Sequence, residues 1–386
     1  MVSGAAATAM KIVFAGGGTG GHLMPGLSVA RALRARSPRC GVAFVGTTRT
    51  LEREIVERFG FEYHALPSPR LPKSALGAPD WAMRSVGGLL GARKLMQRLR
   101  PDIVVSLGGH AALSPSLAAR LGHIPLVIME QNAYPGKANR LLSWWAEEVY
   151  APWDGVDNFF AYPDRVHVTG NPVRAELQTE PARRPSDAFG LDPRKKTLLI
   201  MGGSLGAEPV NRCIVDALPL LADEASRLQI LHSAGATGYE RTVAAYRNSP
   251  IRAAVFPFIE DMAAAYGAAS LAVCRAGGTT TAELTARGLP AILIPLPFAA
   301  NDHQRRNAAR LAAGGAAIIL DQKELTPERL VRAVRNLLGN ESLLGRMSKA
   351  SRRLGRPVAT ANVIERIRHV VEGHALPREF ESLATR

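Results

Sequence analysis

A buried strand, a turn with no side chain larger than threonine, and a helix follow one another between Leu271 and Arg287. Leu271-Ala272-Val273 is an apolar run of the kind a parallel strand buries on both faces. Gly277-Gly278-Thr279-Thr280 lets backbone amides come close to a ligand, and the helix that opens at Ala282-Glu283-Leu284 is stopped by Gly288 and Pro290. A helix start adds partial positive charge, so the turn reads as an anion site, most simply for phosphate. Glu283, one turn into the helix, can accept hydrogen bonds from sugar hydroxyls. Diphosphate and ribose side by side make a nucleotide.

The same order recurs elsewhere. Ser106-Leu107-Gly108-Gly109-His110, a helix near Ser114 to Arg120, and Ile124-Pro125 parallel Arg275-Ala276-Gly277-Gly278-Thr279, a helix, and Leu289-Pro290. Each half also opens on a strand and a glycine-rich loop. These are Lys11 to Ala15 with Gly16 to His22 and a helix from about Pro25 to Arg36, then Thr197 to Met201 with Gly202 to Ala207. A chain of 386 residues exceeds one ordinary core. The expected fold class is therefore α/β, with two doubly wound units in tandem. A boundary near Thr169 to Asn171 separates residues 1–169 from 170–360, and 361–386 form a helix and tail that can pack back on the first unit. Helices are expected over Pro327–Leu338, Ser342–Leu354 and Asn362–Glu372, the first capped by Thr326.

Two details divide the labour. Gly16, Gly18 and Gly21 satisfy a dinucleotide fingerprint, but the second strand ends in Gly46-Thr47 where a ribose-binding acid belongs, which argues against a dehydrogenase. Ser114 stands where the other half has Glu283, so only the second half should hold the nucleotide. Glu130-Gln131-Asn132 follow the strand ending at Met129, at a carboxyl end where open α/β sheets bind ligands.

The formal net charge is +15, from 48 basic and 33 acidic residues, and calls for an anionic partner. Dispersed arginines argue against nucleic acid. The exception is Arg70 to Arg100, where Arg70, Lys73, Arg84, Arg93, Lys94, Arg98 and Arg100 face only Asp80, interleaved with Leu71, Leu76, Trp81, Met83, Val86, Leu89, Leu90, Leu95, Met96 and Leu99. Such a basic amphipathic stretch can lie on an anionic membrane surface; a core-facing helix with a solvated basic face is the alternative. Cys40, Cys213 and Cys274 lack metal spacing and point to a reducing compartment. No apolar run is long enough to span a bilayer. Met1 to Ala9 lacks the features of a signal peptide and reads as a tail.

Five motifs together resemble the MurG family, the peptidoglycan N-acetylglucosaminyltransferases. They are Gly17 to His22, Glu130-Gln131-Asn132, Gly170-Asn171-Pro172-Val173-Arg174, Gly202 to Ala207, and the stretch around Gly278 to Glu283. The resemblance implies a GT-B fold of two Rossmann-like domains and transfer of N-acetylglucosamine from UDP-GlcNAc. The acceptor it implies is the 4-hydroxyl of a lipid-linked muramoyl-pentapeptide, on undecaprenyl diphosphate, at the cytoplasmic face of the membrane. A GT-B enzyme with another lipid or natural-product acceptor is the alternative. No cofactor and no metal are implied. By family position, Thr19, Gly20, Gly21, Asn132, Arg174, Ser204, Ile259, Gly278, Thr279, Thr280, Glu283 and Gln304 meet UDP-GlcNAc. Gly17, Gly18 and His22 meet the acceptor diphosphate. His22 and Glu130 are the candidates for general base.

Overall fold

The computed structural model describes residues 10–17, 20–69, 78–179, 184–203 and 206–375. The chain divides into two compact units, one built from Met1–Gln131, Pro135–Pro172 and Val358–Arg386, the other from Asn132–Tyr134 and Val173–Pro357.

The first unit carries strands β1 (Lys11–Gly16), β2 (Gly41–Gly46), β3 (Glu62–Ala65), β4 (Ile103–Gly108), β5 (Leu126–Met129), β6 (Glu148–Ala151) and β7 (Val166–Val168). They form one seven-stranded sheet in the order β3-β2-β1-β4-β5-β6-β7, every pair parallel. Its helices are α1 (Gly20–Arg36), α2 (Thr50–Arg58), α3 (Ala78–Leu99), α4 (Leu113–Leu121) and α5 (Lys137–Leu142). A parallel sheet needs both faces covered, and the central strands β1, β4 and β5 accordingly read as near-continuous apolar runs. One face buries Phe14, Leu27 and Ile103; the other buries Val13, Val104 and Ile128.

The second unit repeats the plan. Strands β8 (Lys196–Met201), β9 (Leu228–Ser233), β10 (Arg252–Phe256), β11 (Leu271–Cys274), β12 (Ala291–Leu293) and β13 (Ala317–Ile319) alternate with helices. These are α6 (Glu208–Ala217), α7 (Tyr239–Arg247), α8 (Met262–Ala268), α9 (Gly278–Arg287), α10 (His303–Ala313), α11 (Pro327–Leu338) and α12 (Glu341–Leu354). The strand order β10-β9-β8-β11-β12-β13 is that of a doubly wound dinucleotide-type sheet. The Thr326 hydroxyl caps α11, accepting from the Arg329 amide at 3.3 Å.

The last helix, α13 (Ala359–Ala375), belongs to the first unit. Its Val363, Ile364, Ile367 and Val370 enter the core that holds Phe14 and Leu27. Arg366 donates Nε to Glu148 Oε2 at 2.9 Å on β6.

Two helices begin earlier than their sequences suggest. α1 starts at Gly20, so Pro25 lies on its second turn instead of its first. Burial outweighs the poor propensity of this stretch: Leu23 and Leu27 are fully enclosed, and a Cβ on Gly26 would come within 2.7 Å of Leu107 Cδ1. α9 likewise starts at Gly278, which puts Glu283 on the second turn. There the Thr281 hydroxyl donates back to the Gly278 carbonyl at 2.9 Å and supports a glycine-threonine start. Arg70 to Gly77 and Met1 to Ala9 lie outside the described residues. Among the described residues, no helix is long and apolar enough to cross a membrane.

Candidate active site

Doubly wound sheets bind ligands at the carboxyl ends of the strands where the order reverses. In the first unit that point lies between β1 and β4. The β1–α1 turn is tightly packed there. A Cβ on Gly16 would meet Leu107 Cβ at 2.8 Å and Gly108 O at 2.9 Å, and Gly16 has φ +152°. A Cβ on Gly17 would land on the Glu52 carboxylate. Glu52 itself is buried and accepts from the Thr47 amide at 3.0 Å, the Thr47 hydroxyl at 2.9 Å and the Tyr63 hydroxyl at 2.9 Å. An acid thus does sit near the end of β2, but it comes from α2, five residues after Thr47, and its lone pairs serve the fold. The spacing rule missed it because it searched the strand.

Gly20, Gly21 and His22 form the first turn of α1, while Gly18 and Thr19 fall outside the described residues. His22 Nδ1 lies 3.1 Å from the Leu107 carbonyl and 2.9 Å from Gln131 Oε1. The Gln131 amide nitrogen donates to the Met129 carbonyl at 2.6 Å, which turns its oxygen toward the histidine. Both neighbours of Nδ1 are acceptors, so the hydrogen-bond network assigns the proton to Nδ1 and leaves a lone pair on Nε2. Glu130 is 3% exposed and its carboxylate is engaged by several donors. Oε1 accepts from the Gln131 amide at 2.9 Å, and Oε2 accepts from the Gly136 amide at 3.1 Å and Asn139 Nδ2 at 2.8 Å. It shapes the loop from β5 to α5.

In the second unit the order reverses between β8 and β11. Gly278, Thr279 and Thr280 make the first turn of α9, where amides have no carbonyl four residues back within the helix. Glu283 is buried one turn later. Its Oε2 accepts from the Tyr266 hydroxyl at 2.9 Å. Its Oε1 is 3.3 Å from Arg174 Nε, within ion-pair range, yet among the described residues it has no hydrogen-bond partner. Burial pushes the Glu283 carboxyl above its usual range, with Arg174 and the Tyr266 hydroxyl pulling the other way. Arg174 is brought there by Val173 and Leu177, which are both buried. Arg287 of α9 donates to the Leu177 and Thr179 carbonyls at 3.4 and 3.3 Å and holds the segment.

Gln304, second residue of α10, uses Oε1 to accept from the Leu296 amide at 3.0 Å and the Ala276 amide at 3.3 Å. Its amide nitrogen has no partner among the described residues. Asn132 Oδ1 accepts from Asn307 Nδ2 at 3.1 Å. Asn307, fully buried, also accepts from the Ala133 amide at 2.7 Å and donates to the Ala276 carbonyl at 3.0 Å. Asn132, Gln304 and the start of α9 are thus tied together through Ala276 and Asn307. Ile259 is buried on the loop between β10 and α8, and Ser204 lies outside the described residues.

Sequence reading did not single out Asn307, Tyr266 or Arg275. Arg275 is 7% exposed and donates to the Ile294 carbonyl at 3.0 Å and Gln322 Oε1 at 2.6 Å, fixing the loop after β12. A charged residue inside an apolar run was the available signal for Arg275. Asn307 and Tyr266 left none, because their roles come from partners distant in sequence.

The sequence profile of the glycosyltransferase family 28 N-terminal domain matches residues 12–151, and that of the C-terminal domain matches 197–363. A protein of Ectopseudomonas mendocina is 42% identical over 367 residues, covering 94% of this chain and 99% of its own length. It is named UDP-N-acetylglucosamine--N-acetylmuramyl-(pentapeptide) pyrophosphoryl-undecaprenol N-acetylglucosamine transferase. A Geobacter sulfurreducens protein of the same name is 38% identical and covers 92% of this chain and 97% of its own. Among solved structures, Acinetobacter baumannii MurG is similar with a TM-score of 0.72 and 34% identity, over 93% of this chain and 99% of that one. Both halves of the α/β, GT-B-type chain are accounted for by one set of relatives: it belongs to the MurG family of glycosyltransferase family 28.

Proposed function

We propose that this enzyme transfers N-acetylglucosamine from UDP-GlcNAc to the muramoyl 4-hydroxyl of an undecaprenyl-diphosphate-linked pentapeptide. The observation that carries the donor half is the buried Glu283 oxygen beside Arg174 on the second turn of α9. A buried acceptor without a donor costs about 1–3 kcal/mol. A ribose hydroxyl supplies that donor. One turn earlier, the α9 amides of Gly278, Thr279 and Thr280 suit the diphosphate, and Arg174 adds a permanent positive charge. Ile259 offers backbone to the uracil. Gln304, its oxygen already engaged, offers its amide nitrogen to a sugar oxygen.

The first unit supplies the acceptor side. Gly17 and the α1 start suit the lipid diphosphate. In the transfer, the acceptor's 4-hydroxyl attacks the anomeric carbon, the bond to UDP breaks with inversion, and the hydroxyl proton passes to His22 Nε2. Gln131 and Leu107 hold the tautomer this requires. Glu130, surrounded by donors, orders the Gln131 loop instead of taking the proton. As UDP departs, its charge meets α9 and Arg174.

The enzyme works at an anionic membrane surface, through one exposed apolar face of the first unit. Met83, Val86 and Leu90 of α3, Leu121 at the end of α4, and Leu141, Trp144 and Trp145 at and after α5 are all exposed. α3 packs on α4 and α4 on α5, so the elements that carry these side chains are neighbours. Arg93, Arg120, Lys137 and Arg140 are exposed on the same elements. Tryptophan and basic residues around an apolar patch suit the headgroup region.

The test is turnover of UDP-GlcNAc with a lipid-linked muramoyl-pentapeptide, against a glycolipid lacking the muramoyl sugar, with and without chelator. The expected result is a lipid-linked disaccharide from the first acceptor alone, at a rate that chelation leaves unchanged. Equal transfer to both acceptors would sink the acceptor assignment.

A further inference from the structure

Glu52 is a buried acid to which the transfer chemistry above gives no part. It stands in the first turn of α2, and three neutral donors hold its carboxylate: the Thr47 amide, the Thr47 hydroxyl and the Tyr63 hydroxyl. Burial, with the Glu52 charge beside it, pushes the Tyr63 hydroxyl well above its ordinary pKa, so it stays a donor at any working pH. A buried polar group satisfied in this way is fixed in place. Its place is against three glycines. A Cβ on Gly17 would land on the carboxylate, 2.9 Å from Cδ, and a Cβ on Gly46 would fall 2.8 Å from Oε2. A Cβ on Gly109 would meet the Gly17 carbonyl oxygen at 2.8 Å. The Gly17 peptide is therefore hemmed in by the Glu52 carboxylate and by the backbone that follows β4.

Gly17 is the first residue after β1, and α1 opens three residues later with His22 in its first turn. The direction in which the chain leaves β1 sets where the α1 amides and His22 stand. We infer that Glu52 is a positioning residue for the acceptor: its carboxylate is a wedge against Gly17 that fixes the exit of β1, and with it the α1 start and His22. The inference deepens the acceptor reading above and rests on it for the identity of the ligand alone. The role is one of shape. Glutamine fills the same space; its oxygen can accept from the Thr47 amide and Tyr63, and its amide can donate to the Thr47 hydroxyl oxygen. Aspartate, one methylene shorter, draws the carboxylate back from Gly17. Alanine removes the wedge.

The test is a cycle in the full chain that pairs Gly17→Ala with changes at Glu52. Gly17→Ala and Glu52→Ala should each lower kcat/KM for the lipid-linked acceptor by about 10- to 100-fold, the scale of a displacement of about 1 Å at a reacting group. Calorimetric affinity for UDP, whose proposed contacts lie on the second unit, should stay unchanged. Glu52→Gln should retain most of the wild-type efficiency. Glu52→Asp should make room for the added methyl, so that Gly17→Ala loses at least about tenfold less in the aspartate background than in wild type. An equal loss in both backgrounds overturns the wedge. A loss in Glu52→Gln as deep as in Glu52→Ala overturns the role of shape, and UDP affinity that falls with acceptor efficiency overturns the positioning of the acceptor. Thermal melting of the same cycle needs no substrate, and Gly17→Ala should lower Tm less in the aspartate background. Wild-type enzyme that left the muramoyl acceptor untouched would sink the acceptor reading, and the melting cycle would still decide the wedge.

Discussion

Asn307 is the residue on which the second unit's ligand loops depend most directly. Replacing it with alanine removes three hydrogen bonds, to the Ala133 amide at 2.7 Å, Asn132 Oδ1 at 3.1 Å and the Ala276 carbonyl at 3.0 Å. Asn132 is half-exposed and can turn to solvent. The other two groups cannot: Ala133 is 5% exposed and Ala276 fully buried. Each is left unsatisfied at a cost of about 1–3 kcal/mol, so the truncation should cost about 2–6 kcal/mol. For a domain of this size each kcal/mol lowers Tm by roughly 2–4 °C, which predicts a loss of about 4–24 °C. Calorimetry with and without UDP-GlcNAc measures it.

Kinetics should follow the same geometry. Ala276 leads into the first turn of α9, and Gln304 is anchored on its amide, so loosening it displaces both the proposed diphosphate site and the proposed sugar contact. KM for UDP-GlcNAc should rise more than kcat falls. Asn307→Asp sharpens the case. It keeps an acceptor for Ala133 but sets a carboxylate oxygen against the oxygens of Asn132 and Ala276. At neutral pH it should be no better than alanine, and it should improve as acid protonates it. A Tm within about 2 °C of wild type for alanine, with KM unchanged, would refute the reasoning.

Three other outcomes follow from the same contacts. Glu283 has a folded-state pKa raised by burial, so its stabilising influence is complete below the unfolded carboxyl range and is lost as pH rises through the folded pKa. Glu283→Gln should therefore melt no lower than wild type at pH 8, the comparison turning less favourable toward pH 4, while its KM for UDP-GlcNAc rises roughly tenfold for a lost charge-assisted hydrogen bond; a deficit larger at pH 8 than at pH 5 would count against it. His22→Ala should slow turnover by about 10²–10⁴ with donor KM nearly unchanged in initial-rate assays, and a full rate would remove His22 as base. Trp144→Ala/Trp145→Ala should lower partitioning onto phosphatidylglycerol vesicles at least about tenfold, since each exposed indole face is worth on the order of 2 kcal/mol when buried.

What the sequence disclosed was governed by the range of each interaction. The doubly wound plan is a local matter: an apolar run, a small-residue turn and a helix recur, and each is decided within some ten residues. The place of Glu283 on a helix was legible for the same reason, since its offset from Gly278 is a helical one. The start of α9 was not. Glycine and threonine are weak helix formers, and the turn is helical because Thr281 bonds back to Gly278 and the strand beneath is fully buried.

The apolar face of the first unit makes the point from the other side. The basic excess over Arg70 to Arg100, with Asp80 its one acid, makes the stretch readable as an amphipathic helix with a basic face. Trp144 and Trp145 have no such pattern. They are adjacent residues in a turn after a six-residue helix, and adjacency on a strand or helix would have sent them to different faces. Both stand exposed where the chain turns: the Trp145 amide bonds back to the Leu142 carbonyl at 3.0 Å, and Trp144 is propped edge-on against Tyr162 at 5.8 Å. Tyr162 comes from the segment before β7, far along the chain. A surface assembled from three separate segments is invisible to any window on the sequence, yet it is the surface that a flat partner such as a bilayer would meet as one. Removing Tyr162 alone should therefore weaken vesicle binding without touching an apolar residue of α3, and a Tyr162→Ala variant that partitions like wild type would show that the Trp144 prop contributes nothing.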